Sequence, residues 1–211
     1  MKNVLLLGDS IRRGYDKSVQ KTLENVANVY YPEDNCRFAA YFFRYFGNYL
    51  TDFGIDGANV DVIHWNTGLW DCLHLYGGDA LTPYEVYAYY IERICVAMKK
   101  LCPNAKVIFA TSTSVISEKM DPNFKRYNHE TEQYNAIATE IVKKHGFEVN
   151  DLYALSVTLP EEAHSDPTHY YTTMGTEVFT NQVLKYLAAA LELDEVPVYR
   201  EELYTDKPVG V

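Results

Sequence analysis

Five short runs of β-branched, aliphatic or aromatic residues, set between longer stretches of helical period, restrict most strongly what this chain can become. Val4 to Leu7, Val26 to Tyr30, Val60 to Trp65, Val107 to Ala110 and, more weakly, Phe147 to Val149 read as strands. Between them, Arg37 to Leu50 places Phe38, Tyr41, Phe42, Tyr45, Phe46 and Tyr49 at helical spacing, with Gly54 beyond its end. Leu81-Thr82-Pro83-Tyr84-Glu85 predicts a helix start with Thr82 as cap, Pro83 in the first helical position and Glu85 as reciprocal acceptor. That helix is expected to reach about Lys100; Asn128 to His145, stopped by Gly146, and Thr173 to Leu191 predict two more. Strands alternating with crossover-length helices imply parallel pairing, so the expected class is α/β in three layers around a parallel sheet of about five strands. Ligands of such sheets bind outside the carboxyl ends of the strands, which is where chemistry is sought.

The length permits one domain without staples, since a chain of 211 residues buries roughly 70% of its unfolded surface. We read residues 1–195 as that domain and 196–211, with Pro197 and Pro208, as a polar tail packed on it or trailing from it. The four cysteines show no CxxC spacing, so free thiols are expected and a zinc site is not. No His/Asp/Glu cluster has metal-ligand spacing, and neither GxGxxG nor GxxxxGK[ST] occurs; the reading is catalysis without metal or cofactor. A net charge of -10, from 19 basic and 29 acidic residues, disfavours nucleic acid, and no basic cluster marks a membrane surface. The N-terminal apolar run is too short for a signal peptide or a span, so a cytoplasmic protein with a neutral small-molecule or oligosaccharide partner is expected. Nineteen tyrosines suit sugar binding, and equally suit packing at half-buried sites. The stripe Tyr84, Tyr87, Tyr90 and Ile91 reads as core rather than a subunit interface, and the oligomeric state stays open.

Two short motifs carry chemistry. Gly8-Asp9-Ser10 follows the first strand, where a serine hydroxyl stands at the sheet edge; the same residues would serve a tight turn with Asp9 or Ser10 as helix cap. Asp166-Pro167-Thr168-His169 precedes the last helix and can fold a carboxylate against an imidazole, or be an Asp-Pro turn with an exposed histidine. His164 is the rival base, two residues from Asp166 instead of three. His64 reads as a satisfied core residue, and His74, His129 and His145 as solvated.

Together these motifs, on alternating strand and helix segments, resemble the SGNH (GDSL) hydrolases, and the likeness spans Val4 to about Ala190. The resemblance implies a flavodoxin-like sheet and a triad of Ser10 as nucleophile, His169 as base and Asp166 as its orienting partner. It also implies an oxyanion hole completed by a glycine after the second strand and an asparagine in a Gly-x-Asn-Asp run after the third. Here the chain departs: Gly68-Leu69-Trp70-Asp71 sets Trp70 in the amide slot, and Pro32-Glu33-Asp34-Asn35 has no glycine. Candidate oxyanion groups are therefore the Ser10 N-H, Asn35 at an expected helix start, Asn66 and Trp70. Asp9, Arg37 and Gly68 are candidate pocket residues, with Arg37 expected to pair with Asp34. The implied activity is hydrolysis of short acyl esters, foremost acetyl on a sugar. Two other readings stand beside it, a lipase or thioesterase for longer chains and a carbohydrate-binding protein with weak turnover.

Overall fold

The computed structural model describes residues 1–200. Its centre is a parallel sheet of five strands, β1 (Lys2–Leu7), β2 (Ala27–Tyr30), β3 (Val62–Trp65), β4 (Lys106–Ala110) and β5 (Glu148–Asn150), in the spatial order β2-β1-β3-β4-β5. Every neighbouring pair in that sheet is parallel. Val4 to Leu7 have no solvent exposure, as expected of a central strand covered on both faces. Each such side chain contributes about 1.5–3 kcal/mol relative to leaving it exposed.

The helices are α1 (Ser10–Arg13), α2 (Asp16–Thr22), α3 (Ala39–Phe53), α4 (Tyr84–Leu101), α5 (Asn128–Lys144), α6 (Leu152–Ser156) and α7 (Thr173–Leu191). The strand order reverses direction after β2, so right-handed crossovers put α2 on one face and α3, α4 and α5 on the other. The contacts agree: α3 packs on α4 and α4 on α5, while α7 packs on α2. The architecture is thus three-layered α/β/α with the flavodoxin-like order. Its switch point lies between β1 and β3, whose ends are level because Leu7 pairs with Trp65.

Local differences from the sequence reading have physical causes. Helix α3 starts at Ala39 and not Arg37, because Arg37 has φ +48° and the Ala39 N-H is taken by both Asp71 oxygens at 3.1 Å. Thr82 is not the cap of α4: Pro83 holds that position without a side-chain bond, and Thr82 is buried with its hydroxyl turned to Asp71. Strand β5 begins one residue later than read. An antiparallel pair of two-residue strands, His74–Leu75 with Phe124–Lys125, carried no readable period. The start of the expected tail is packed rather than trailing. Tyr199 is 1% exposed and exchanges two hydrogen bonds with the Asn181 side chain of α7. Residues 201–211 of that tail lie outside the described residues.

Candidate active site

The site grows from the carboxyl end of β1. Asp9 is the N-cap of α1, its Oδ1 accepting the Ile11 N-H at 2.9 Å, and this turn leaves Ser10 at the helix start. Gly8 is required here by close approach: a Cβ at this position would lie 1.8 Å from Asn66 Oδ1. Asn66 follows β3 and is drawn beside Gly8 by the level register, its N-H donating to Leu7 O at 3.1 Å. Arg12 ties the loop after β2 to the same corner. It forms a buried ion pair with Asp16 and donates to Pro32 O at 2.9 Å and Asp34 O at 2.6 Å.

The second half of the site comes from the loop before α7. Asp166 Oδ1 accepts the N-H groups of Thr168 (2.8 Å) and His169 (3.0 Å), a tight turn closed by Ser165 N-H to His169 O at 2.8 Å. Gly175 in α7 permits this loop to lie against the helix, since a Cβ there would meet Tyr170 O at 2.4 Å.

The two halves meet in one chain of hydrogen bonds. Asp166 Oδ2 lies 2.7 Å from His169 Nδ1, and His169 Nε2 lies 2.7 Å from Ser10 Oγ. With Nδ1-H donated to the carboxylate, Nε2 is left as the acceptor for the serine hydroxyl. Burial pushes the Asp166 carboxyl up, but the Thr168 N-H, the His169 ring and the His169 N-H outweigh it and hold Asp166 below the usual carboxylate range. The imidazole thus faces a carboxylate that stays ionised at neutral pH.

Of the other residues singled out by sequence, Asp9 is wholly buried as a cap and does not line an open pocket. Burial raises its carboxyl, opposed by Asn66 and the Ile11 N-H. Asn35 does not stand at a helix start; its Oδ1 accepts the Arg37 N-H at 2.9 Å in a turn ahead of α3. Arg37 does not pair with Asp34. Its guanidinium lies over the Tyr41 ring at 4.8 Å, and Asp34 Oδ2 accepts the Tyr41 and Tyr49 hydroxyls at 2.8 and 3.0 Å. Gly68 packs inward against Ser112 and Tyr87. Trp70 is half-buried, makes no side-chain hydrogen bond among the described residues and meets the Phe124 ring edge-on at 6.4 Å.

His164 is outside the relay, its ring 3.9 Å from that of Tyr170. His64 is fully buried, and Asn150 Nδ2 donates to its Nε2 at 3.1 Å. His74 and His145 are not simply solvated; they bond Glu130 at 2.6 Å and Glu92 at 2.9 Å.

Sequence reasoning missed two supporting residues. Tyr171 stacks on His169 (4.8 Å between centroids) and donates its hydroxyl to Ser10 O, clamping the imidazole and the serine together. Asp71, with Thr67 Oγ1 at 3.0 Å as a further donor, anchors the start of α3. Tyr171 carried no signal among nineteen tyrosines. Asp71 carried one, its place in the Gly-x-x-Asp run, without indicating what it holds.

No family model matches the chain, and no curated protein matches it in sequence. Solved structures do match. An acetyl xylan esterase superposes with a TM-score of 0.68 at 15% identity, over 88% of this chain and 99% of that one. A lipase/acylhydrolase from Enterococcus faecalis gives 0.67 at 17% identity, over 90% and 96%. A GDSL-like lipase from Bacteroides thetaiotaomicron gives 0.63 at 15% identity, over 90% and 89%. Identities this low establish the fold: the chain has the three-layer α/β/α fold of GDSL-type hydrolases. Among the described residues no helix is long and apolar enough to cross a membrane, and no group of three or more His, Cys, Asp or Glu side chains converges as a metal site.

Proposed function

We propose that the chain is a serine ester hydrolase of the SGNH/GDSL type that cleaves short acyl, foremost acetyl, esters of carbohydrate. The observation that carries this is the Ser10-His169-Asp166 hydrogen-bond chain at the end of β1. Ser10 Oγ attacks the ester carbonyl as His169 Nε2 takes its proton, and His169 returns that proton to the departing alcohol. Water, deprotonated by the same nitrogen, then releases the acid from Ser10. Negative charge developing on the carbonyl oxygen meets the Ser10 N-H, in a first turn where no intrahelical acceptor precedes it, and the Asn66 amide. The Trp70 slot is not needed for it. The likeness to an acetyl xylan esterase supports the acetyl and carbohydrate part.

The test is hydrolysis of p-nitrophenyl esters from acetate to decanoate, with Ser10→Ala as control. The proposal expects a maximum at acetate and loss of at least about 10⁴-fold in the variant. A maximum at eight carbons or longer assigns a lipase or thioesterase instead. Equal slow rates for both proteins remove the catalytic reading.

A further inference from the structure

Arg126 follows the short strand Phe124–Lys125 and is 3% exposed. A guanidinium does not shed its charge, so burying one is costly unless its N-H groups find acceptors. Here they are only partly met. Nε donates to Leu69 O, between Gly68 and Trp70, and the guanidinium lies over the Phe124 ring at 5.2 Å, but Nη1 has no hydrogen-bond partner among the described residues. Arg12, buried as deeply, has Asp16 and two carbonyls.

Neither Asp9 nor Asp166 forms an ion pair with Arg126. Asp166 is engaged by His169 and two backbone N-H groups. Asp9 Oδ1 accepts the Ile11 N-H, while its Oδ2 has no hydrogen-bond partner among the described residues. The Arg126 guanidinium is tied through Leu69 O to the loop that follows Asn66, the residue lying against Gly8. Beside it, Trp70 is half-buried and Phe124 is 43% exposed, an aromatic rim that reaches solvent.

We propose that Arg126, with Trp70 and Phe124, forms a subsite for the carboxylate of an acidic sugar, so that the ester acted upon is an O-acylated uronic-acid type of saccharide. This rests on the ester-hydrolase reading and narrows its substrate class. A guanidinium fork matches a carboxylate in two parallel hydrogen bonds, and aromatic faces take the apolar face of a sugar ring. The rim is open, so the group that docks there is the alcohol portion, which projects to solvent, while the acyl carbon lies at Ser10. The net charge of -10 opposes an anion only at long range, where salt screens it beyond roughly 8 Å. A neutral sugar, expected from composition, leaves the Arg126 donors unmet.

The test is calorimetric binding of a mono-O-acetylated methyl glucuronoside and a mono-O-acetylated methyl glucoside to the Ser10→Ala protein, which does not turn them over. The acidic sugar is expected to bind about 10- to 100-fold more tightly. That preference disappears in Ser10→Ala/Arg126→Gln and survives in part in Ser10→Ala/Arg126→Lys, which keeps charge without the fork. Absence of preference in Ser10→Ala itself, or an equal loss of both affinities with Gln, overturns the proposal and leaves Arg126 as a strut for the Leu69 loop. Failure of the hydrolytic reading shows separately, as equal rates of wild type and Ser10→Ala on p-nitrophenyl acetate.

Discussion

Replacing Gly8 by alanine adds one methyl group at the point where the ends of β1 and β3 touch. The new Cβ would stand 1.8 Å from Asn66 Oδ1 and 2.9 Å from its Cγ, where contacts under 3.0 Å are not tolerated. The pair must therefore open by about 1.2 Å. Neither side has room: Asn66 is 2% exposed and its N-H is bonded to Leu7 O, while Gly8 O accepts the Cys36 N-H at 3.0 Å. Overpacking of this kind costs about 1–3 kcal/mol. Because Gly8 lies two residues from the serine, the same shift misplaces Ser10 Oγ by about 1 Å, enough for about a 100-fold loss of turnover.

Urea denaturation of Gly8→Ala, Asn66→Ala and the double variant separates the clash from other effects. The added Cβ then loses both contacts under 3.0 Å, leaving the Arg12 Cβ at 3.1 Å, so the double variant should be more stable than the sum of the single losses predicts, by about 1 kcal/mol or more. Gly8→Ala within about 0.5 kcal/mol of wild type, or additive losses in the cycle, would refute the packing argument.

Two further outcomes follow from the site and the core. Asp166→Asn keeps the shape of the turn but offers an amide where His169 needs an ionised acceptor; kcat on p-nitrophenyl acetate should fall about 10³- to 10⁴-fold, and a loss below tenfold would mean the carboxylate does not orient the base. His64, fully buried, has its pKa lowered by burial to about 3, so between pH 3 and its ordinary value near 6.5 the unfolded chain binds a proton that the native chain does not. Stability contributed by neutral His64 is thus present above about pH 6.5 and lost as pH falls, by about 1.4 kcal/mol per unit. Urea titrations of wild type and His64→Gln across pH 4 to 7 should show wild type losing ground at about that slope; parallel curves would mean that the imidazole is not desolvated in the native state.

The two turns that carry Ser10, Asp166 and His169 were legible because each is local, and the resemblance to the SGNH hydrolases is what joined them into one candidate site. Gly8-Asp9-Ser10 and Asp166-Pro167-Thr168-His169 are turns whose geometry is set by residues one to three apart, such as the Asp166 bonds to Thr168 and His169. The strands were legible because burial on both faces demands continuous apolar runs, and their ends moved by only one or two residues. Arg37 and Asp34 were misjudged because their partners, Tyr41 and Tyr49, lie one and more helical turns away, and an ion pair read from adjacency competes with contacts that adjacency does not reveal.

By itself, the sequence determined the α/β alternation and the parallel sheet, since periodicity acts over short distances, and its resemblance to the SGNH hydrolases singled out Ser10, His169 and Asp166, which the structure joins by hydrogen bonds. Only the tertiary structure decided what surrounds them. Asn66 reaches Gly8 because Leu7 pairs with Trp65 across the sheet. Asp71 holds the first N-H of a helix 32 residues earlier. Arg126 Nε donates to Leu69 O, 57 residues away. The physical reason is common to all three: a buried polar atom takes whatever partner the packed layers bring within about 3 Å, and that choice is made by strand order and register, which no local pattern records.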